Sequence, residues 1–225
     1  MARTLTVYQL ERVPYAEAVA LQRRIVDQYS KEPSDTGTLI LLEHPPVITI
    51  GRSGSEKNVI ADKTALEHEG VEVVETNRGG DVTYHGPGQI VGYPILPLAF
   101  HGKDIHKYLR RIEQVLMAML WEYGIKGMQR PGFTGVWTEE GKIASIGVAI
   151  THWVTYHGFA LNVAPNLDHF RLIVPCGITD CPIVSMESLL GSAPARAEVE
   201  QRLLTHFQAE FGFEEVRVRR EADAP

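Results

Sequence analysis

Cys176 lies in the run Val174-Pro175-Cys176-Gly177-Ile178, with a proline before it and a glycine after it. Those neighbours bend the chain and expose a thiol. A structural cysteine usually sits inside an apolar run. A thiol with an ordinary pKa of about 8.5 needs a base or a cation beside it before it is a nucleophile. Three candidates offer this. His157 and His169 are the histidines nearest in sequence. Lys142 opens Lys142-Ile143-Ala144-Ser145-Ile146-Gly147 behind the Gly141 turn, among small and apolar neighbours. A partly buried lysine loses proton affinity and can act as a base. A lysine at a strand edge can equally be a charge that blocks aggregation. Cys181 lies between Asp180 and Pro182. A neighbouring carboxylate disfavours its thiolate, so it is the weaker nucleophile.

A second cluster is Arg78-Gly79-Gly80-Asp81-Val82-Thr83-Tyr84-His85-Gly86-Pro87-Gly88-Gln89. Four glycines and a proline among polar side chains exceed what a plain turn needs. Read as a loop between apolar runs at 71–76 and 90–95, it exposes backbone N–H groups to a ligand. It has neither the Walker spacing nor Gly-x-Gly-x-x-Gly, so it is not read as a phosphate loop.

The elements that must position these residues follow from periodicity. Short strands are expected at 5–10, 38–42 and 47–50, and a helix from Pro14 to about residue 29. A short helix capped by Asp62 is expected over 62–68, then a strand over 71–76. The helix at 104–123 repeats apolar residues every three or four positions, with Asp104 capping it and Gly124 ending it. Strands are expected at 135–138, 142–151, 154–163 and 170–174, the middle two joined by a hairpin at His152-Trp153. A helix over 195–211 and a strand over 215–218 close the chain. Strands in runs favour α+β, with one mixed or antiparallel sheet and helices on one side. One domain over 1–220 is expected, with 221–225 as a frayed tail.

Composition narrows the function. Of 225 residues, 44% are hydrophobic and 22% charged, ordinary for a soluble globular chain. The net charge of −6 argues against a general nucleic-acid binder. No apolar run reaches the roughly 20 residues of a membrane span, and the start lacks a signal-peptide core, so a cytoplasmic protein is expected. Two cysteines without a second pair or a close His-x-His argue against a metal site.

The glycine-rich run, with Tyr93-Pro94-Ile95 after it, resembles the signature of the lipoyl(octanoyl) transferase family. Gly141-Lys142-Ile143-Ala144-Ser145-Ile146-Gly147, His157-Gly158-Phe159-Ala160-Leu161-Asn162 and Pro175-Cys176-Gly177-Ile178 are similar to the family's other motifs, in the same order. The match spans about 39–190. Asn166, where Asp is expected, and Ser185-Met186-Glu187 depart from the pattern outside the site. The resemblance implies the fold of the biotin and lipoate protein ligase catalytic domain, a mixed or antiparallel sheet flanked by helices. It implies octanoyl (or lipoyl) transfer from acyl carrier protein to a lysine of lipoate-dependent enzymes, the first step of protein lipoylation. Cys176 would carry the acyl thioester and Lys142 would pair with it. Arg78, Gly79, Gly80, Asp81, Val82, Thr83, Tyr84, His85, Ser145, Ile146, Gly147, Gly158, Phe159 and Ala160 would line the acyl site. Backbone N–H groups near Gly79, Gly80 or Gly147 would meet the oxyanion. The implied donor is octanoyl-acyl carrier protein. The implied acceptors are the lipoyl domains of 2-oxoacid dehydrogenase E2 subunits and the glycine cleavage H protein. No cofactor and no metal are implied. Arg23-Arg24, Arg110-Arg111 and Arg130 are candidate landing charges for an acidic carrier. The rivals are an ATP-dependent ligase on the same fold, a cysteine hydrolase using His157 or His169, and a carrier binder without chemistry.

Overall fold

The computed structural model describes residues 2–174 and 181–219. The chain runs β1 (Thr4–Arg12), α1 (Tyr15–Lys31), β2 (Gly37–Glu43), β3 (Val47–Ile50), α2 (Lys63–His68), β4 (Glu72–Glu75), β5 (Val82–His85), β6 (Gln89–Ile95) and α3 (Ile105–Trp121). It continues with β7 (Met128–Arg130), β8 (Phe133–Trp137), β9 (Lys142–Thr151), β10 (Val154–Asn162), α4 (Met186–Leu190), α5 (Arg196–Phe211) and β11 (Glu215–Arg219). Eight strands form one mixed sheet in the order β11-β1-β2-β6-β10-β9-β8-β7, and β4-β3-β5 form a second, small sheet.

The sequence of β2 shows why the large sheet is covered twice. Leu39 and Leu41 point into a core with α3 and α5, while Ile40 and Leu42 point into a core with α1. Both faces of the strand are buried, so it reads as a continuous apolar run. The expectation of helices on one side is therefore corrected: they flank both faces. A third core lies under the small sheet, from Ile48, Ile50, Val82, Tyr84, Phe170 and Ile173.

Two further expectations change. The glycine-rich run is not wholly loop, because its second half is β5, antiparallel to β3. Val82 and Tyr84 alternate into the third core, a period of two that the neighbouring glycines obscure. Residues 170–174 are not a strand. A 3-10 helix covers Leu167–Leu172, and Ile173 makes a single bridge to Val59. Phe170 and Ile173 enter the core three positions apart, and Asn166 caps the turn through the Asp168 N–H.

Gly88 shows how tightly the ends of three strands meet. It turns between β5 and β6 at φ +86°, and its carbonyl accepts the N–H groups of Val163 and Ala164 after β10. A Cβ there would lie 2.2 Å from the Ala164 oxygen. Left-handed backbone and overpacking each cost on the order of 1 kcal/mol or more. Gly88→Ala is therefore expected to destabilise by at least about 2 kcal/mol, a drop of about 4–8 °C in Tm by thermal unfolding.

Candidate active site

β8 is shorter than β9 and leaves the edge of β9 uncovered beyond Ser145, where Gly135 is its partner. The glycine-rich segment takes that place. The Gly79 N–H donates to the Val148 carbonyl at 2.8 Å. Gly147 makes the approach possible, since a Cβ there would lie 2.6 Å from the Gly79 oxygen. Arg78 secures the segment from beneath. Its guanidinium donates to the Thr49 carbonyl at 2.6 Å and to the Thr49 hydroxyl at 2.9 and 3.1 Å, with only 7% of the residue exposed. This places Arg78 as a brace between the small sheet and the loop. Gly79 is also removed as an oxyanion donor, because its N–H already serves Val148.

The junction encloses a cavity of about 510 Å³. Arg78, Gly79, Gly80, Asp81, Val82, Thr83, His85, Lys142, Ser145, Ile146, Gly147, Gly158, Phe159 and Ala160 all line it. Tyr84, expected among them, does not. Strand alternation turns its ring into the third core, where its hydroxyl meets His169 Nδ1 at 2.7 Å. Cys176 lies outside the described residues. Pattern reading missed Tyr15, Tyr93, Ile105, Leu109 and Phe133, which also line the cavity. Tyr93 carried a signal, because a proline stands beside it within an apolar strand. The others carried none.

Lys142 begins β9 and is 4% exposed, with Trp137 of β8 opposite it. Its Nζ lies 5.4 Å from the Trp137 ring centroid, within cation–π range. A Cβ on Gly135 would lie 2.8 Å from its Cε. A buried lysine on an interior strand is not an edge charge, so that reading is set aside.

The cavity has a polar aromatic floor. His44 accepts from the Tyr93 hydroxyl at 2.7 Å and donates from Nδ1 to the Val13 carbonyl at 2.6 Å. His85 stacks on Tyr15 at 6.3 Å and donates from Nδ1 to Gln89 Oε1. The Gln89 amide is oriented by donating to Asn162 Oδ1 and the Tyr84 carbonyl. Asn77 donates to the Tyr156 hydroxyl, so its oxygen accepts from His157 Nε2 at 2.9 Å. Burial holds His44 down to about 4 and, with the Arg78 and Arg23 charges, His157 down to about 3. Burial, with His44 and Arg78 nearby, puts His85 well below its usual range. Burial, with Tyr15 nearby, raises the Tyr93 phenol. At neutral pH this floor is uncharged apart from Arg78. Neither histidine offered as a thiol base suits that task. His157 is engaged with Asn77 through Nε2 and binds a proton too weakly, while His169 is engaged with Tyr84 and Glu69 through its two ring nitrogens. Among the described residues no cluster of three or more His, Cys, Asp or Glu is placed to hold a metal, and no helix is long and apolar enough to cross a membrane.

Known proteins decide the family. The family model "Lipoyl protein ligase A/B catalytic domain" matches residues 14–208. The octanoyltransferase of Syntrophotalea carbinolica is 47% identical over 205 residues, covering 91% of this chain and 93% of the relative. That of Solibacter usitatus is 47% identical over 212 residues, covering 94% and 95%. This chain belongs to the octanoyltransferase family. It is an acyltransferase that moves an octanoyl group in protein lipoylation. Solved structures agree on the fold. A lipoate-protein ligase A bound with ATP superposes with a TM-score of 0.76 at 16% identity, over 98% of this chain and 89% of that one. The Aquifex aeolicus biotin protein ligase gives 0.51 at 11% identity, over 94% and 70%.

The buried histidines make stability depend on pH. Their folded pKa values lie below the ordinary 6.5 of an unfolded chain. Between about pH 6.5 and 4 the unfolded state binds protons that the folded state refuses, so stability present at neutral pH is lost as pH falls. His44 alone corresponds to about 3 kcal/mol. His101, outside the cavity and also held to about 4 by burial, adds in the same direction. Thermal unfolding is expected to show Tm falling steeply from pH 7 to 5. A flat profile would contradict the burial of these rings.

Proposed function

We propose that this octanoyltransferase works through a thioester on Cys176, with Lys142 as the base. The observation that carries the proposal is the placement of Lys142, buried on the wall of a cavity that has apolar sides. Ile183 lies beside Lys142, joined through Lys142 N–H to Pro182 O at 2.8 Å and Val184 N–H to Lys142 O at 3.1 Å. Residues 182–184 thus run along the Lys142 backbone. In the first step Lys142 Nζ takes the thiol proton, and the sulfur attacks the octanoyl carbonyl of the donor thioester. The C–S bond to the donor breaks, and the donor thiol leaves with a proton. In the second step a target lysine, losing a proton to the same base, attacks the Cys176 thioester. An amide forms and the thiol is restored.

The cavity supplies the binding energy for the chain. Six methylenes at roughly 0.8 kcal/mol each give up to about 5 kcal/mol on burial, or about fourfold discrimination per methylene. Val82, Ile146, Val148 and Phe159 lie in the cavity wall.

The donor in this reading is octanoyl-acyl carrier protein. The acceptors are lipoyl domains of 2-oxoacid dehydrogenase E2 subunits and the H protein. A Thermoplasma acidophilum lipoate protein ligase of this fold, described together with its E2 lipoyl domain, supports that acceptor class (TM-score 0.72, 18% identity). The enzyme is read as cytoplasmic, with residues 1–220 as one catalytic unit and 221–225 as a tail. Arg130 is the best placed of the candidate landing charges. It lies over the rings of Phe133 and Trp137, and Phe133 lines the cavity. Arg110 and Arg111 are already paired with Glu113 and Glu210.

Incubation with octanoyl-carrier protein should add one octanoyl group to the intact mass, without ATP and not in Cys176→Ala. An active, ATP-requiring Cys176→Ala enzyme would sink the thioester. Lys142→Ala should fold and form the adduct far more slowly, by about 100-fold or more. If an acidic carrier is steered by Arg130, kcat/KM for the donor should fall about tenfold from low to roughly 0.5 M salt, and Arg130→Ala should flatten that slope.

A further inference from the structure

Two hollows meet at Tyr15. The first is the cavity of about 510 Å³ whose wall holds Lys142. The second, of about 480 Å³, lies between the first half of α1 and the end of β4, where Ala16, Val19, Arg23, Val74, Thr76 and Asn77 line it. Ala16, Arg23 and Asn77 are exposed, so the second hollow opens to solvent. Among the described residues Tyr15 alone lines both. Tyr15 opens α1 directly after Pro14, and only 3% of it is exposed. Its ring stacks on His85, with 10° between the planes at 6.3 Å, and stands edge-on to His44 at 5.3 Å. Its hydroxyl donates to Thr76 Oγ1 at 3.1 Å. Asn77, next along the chain, is tied to the Tyr156 hydroxyl and to His157 Nε2. The barrier between the hollows is thus the Tyr15 ring and the pinned Thr76-Asn77 segment. The cavity follows β9 from Lys142 to Val148, about 20 Å of strand at roughly 3.3 Å per residue. His157 pairs with Val148, so the Asn77 bond and, through Thr76, the Tyr15 ring belong to the end remote from Lys142.

We infer that Tyr15 sets the length of acyl chain the enzyme accepts: its ring is the end wall against which the methyl terminus of an octanoyl group stops. An octanoyl group with its carbonyl near Lys142 extends along the cavity toward Tyr15. A longer chain meets the ring. His85, His44 and Thr76 hold that ring, and it cannot swing aside without losing them. Extra methylenes forced against a packed wall are rejected by overlap. Without the ring, the cavity runs into the second hollow, where Val19 and Val74 offer apolar surface to the added carbons. Chain-length selection thus lies in one residue of α1, outside the glycine-rich wall.

This inference rests on the reading of the cavity as the acyl site, and its test separates the two. Wild type, Tyr15→Ala and Tyr15→Phe receive an equimolar mixture of octanoyl- and dodecanoyl-carrier protein with a lipoyl-domain acceptor, and intact mass counts the two products. The readout is a ratio, so a loss of folded enzyme does not move it. Each methylene that becomes buried corresponds to about fourfold. Tyr15→Ala is expected to raise the dodecanoyl-to-octanoyl ratio by about tenfold or more. Tyr15→Phe keeps the ring and is expected to hold the ratio within about threefold of wild type. An unchanged ratio in Tyr15→Ala would overturn the end wall, and so would an equal rise in Tyr15→Phe. If Tyr15→Ala does not fold, Tyr15→Leu replaces it: a smaller rise of about fivefold is expected, and an unchanged ratio would overturn the inference in the same way. Calorimetric binding of octanoate and dodecanoate needs neither donor nor acceptor, and the ratio of their affinities is expected to shift in the same direction. Ser145→Phe, which sets a ring into the cavity three positions from Lys142 on β9, tests the underlying reading. Undiminished octanoyl transfer and octanoate binding in a folded Ser145→Phe would overturn the cavity as the acyl site. Loss of both in Ser145→Phe, with an unchanged ratio in Tyr15→Ala, would overturn the end wall alone.

Discussion

The architecture depends on one hydrogen bond and on the missing side chain that permits it. The Gly79 N–H reaches the Val148 carbonyl because nothing projects from Gly147. That contact puts the glycine-rich segment where β8 would have continued along β9, so a sheet edge becomes a wall. Arg78 then ties the wall to Thr49 in the small sheet. Without the docking, the small sheet would lose its tie to β9 and keep the third core and the His85 and Tyr84 contacts with Tyr15 and Gln89. The glycines of this segment serve backbone-to-backbone approach first. Their role toward a ligand follows from the wall they build.

The cavity that results joins two kinds of surface with different consequences. Its apolar sides suit an alkyl chain. Its floor is a network of Tyr93, His44, His85 and His157, whose rings burial keeps neutral. Buried polar groups are tolerable when each is paired and costly when one is not. Here His157 Nδ1 is left without a hydrogen-bond partner, while the pairing of His85 extends beyond the cavity through Gln89 and Asn162 to the Val184 carbonyl. The floor thereby serves packing and geometry at once.

Much of this was legible in the residues. The strands at 47–50 and 142–151 and the helix beginning after Asp104 follow from periodicity and capping, and the structure places them there. The residues that gather at the cavity were legible because they fall in dense runs of glycine and polar side chains. What failed had local causes. Val82 and Tyr84 alternate, but glycines on both sides masked a four-residue strand. The apolar residues after Asn166 looked like a strand, while their burial follows a spacing of three. Tyr15, Ile105 and Leu109 reach the cavity from helices whose patterns say only that they are amphipathic. Which helical residue lines a pocket is decided by how helices lie on a sheet, and a single sequence does not carry that.

The fold leaves the chemistry open. An ATP-bound ligase superposes over nearly the whole chain at 16% identity, so the sheets and their packing do not by themselves select a reaction. The selection has to lie in a few side chains and in what holds them. Lys142 illustrates the constraint. A lysine amine is costly to bury. This chain supplies the face of Trp137 above it and an empty place at Gly135 beside its last methylenes. It also fixes the Lys142 backbone on the Pro182 and Val184 side. A lysine needed only for solubility would not be enclosed in this way, since every such feature holds the amine in place and keeps water from it. The octanoyltransferase relatives at 47% identity and the enclosure of this one amine therefore point the same way. In this chain the shared scaffold is fitted to hold a buried lysine at the wall of the cavity.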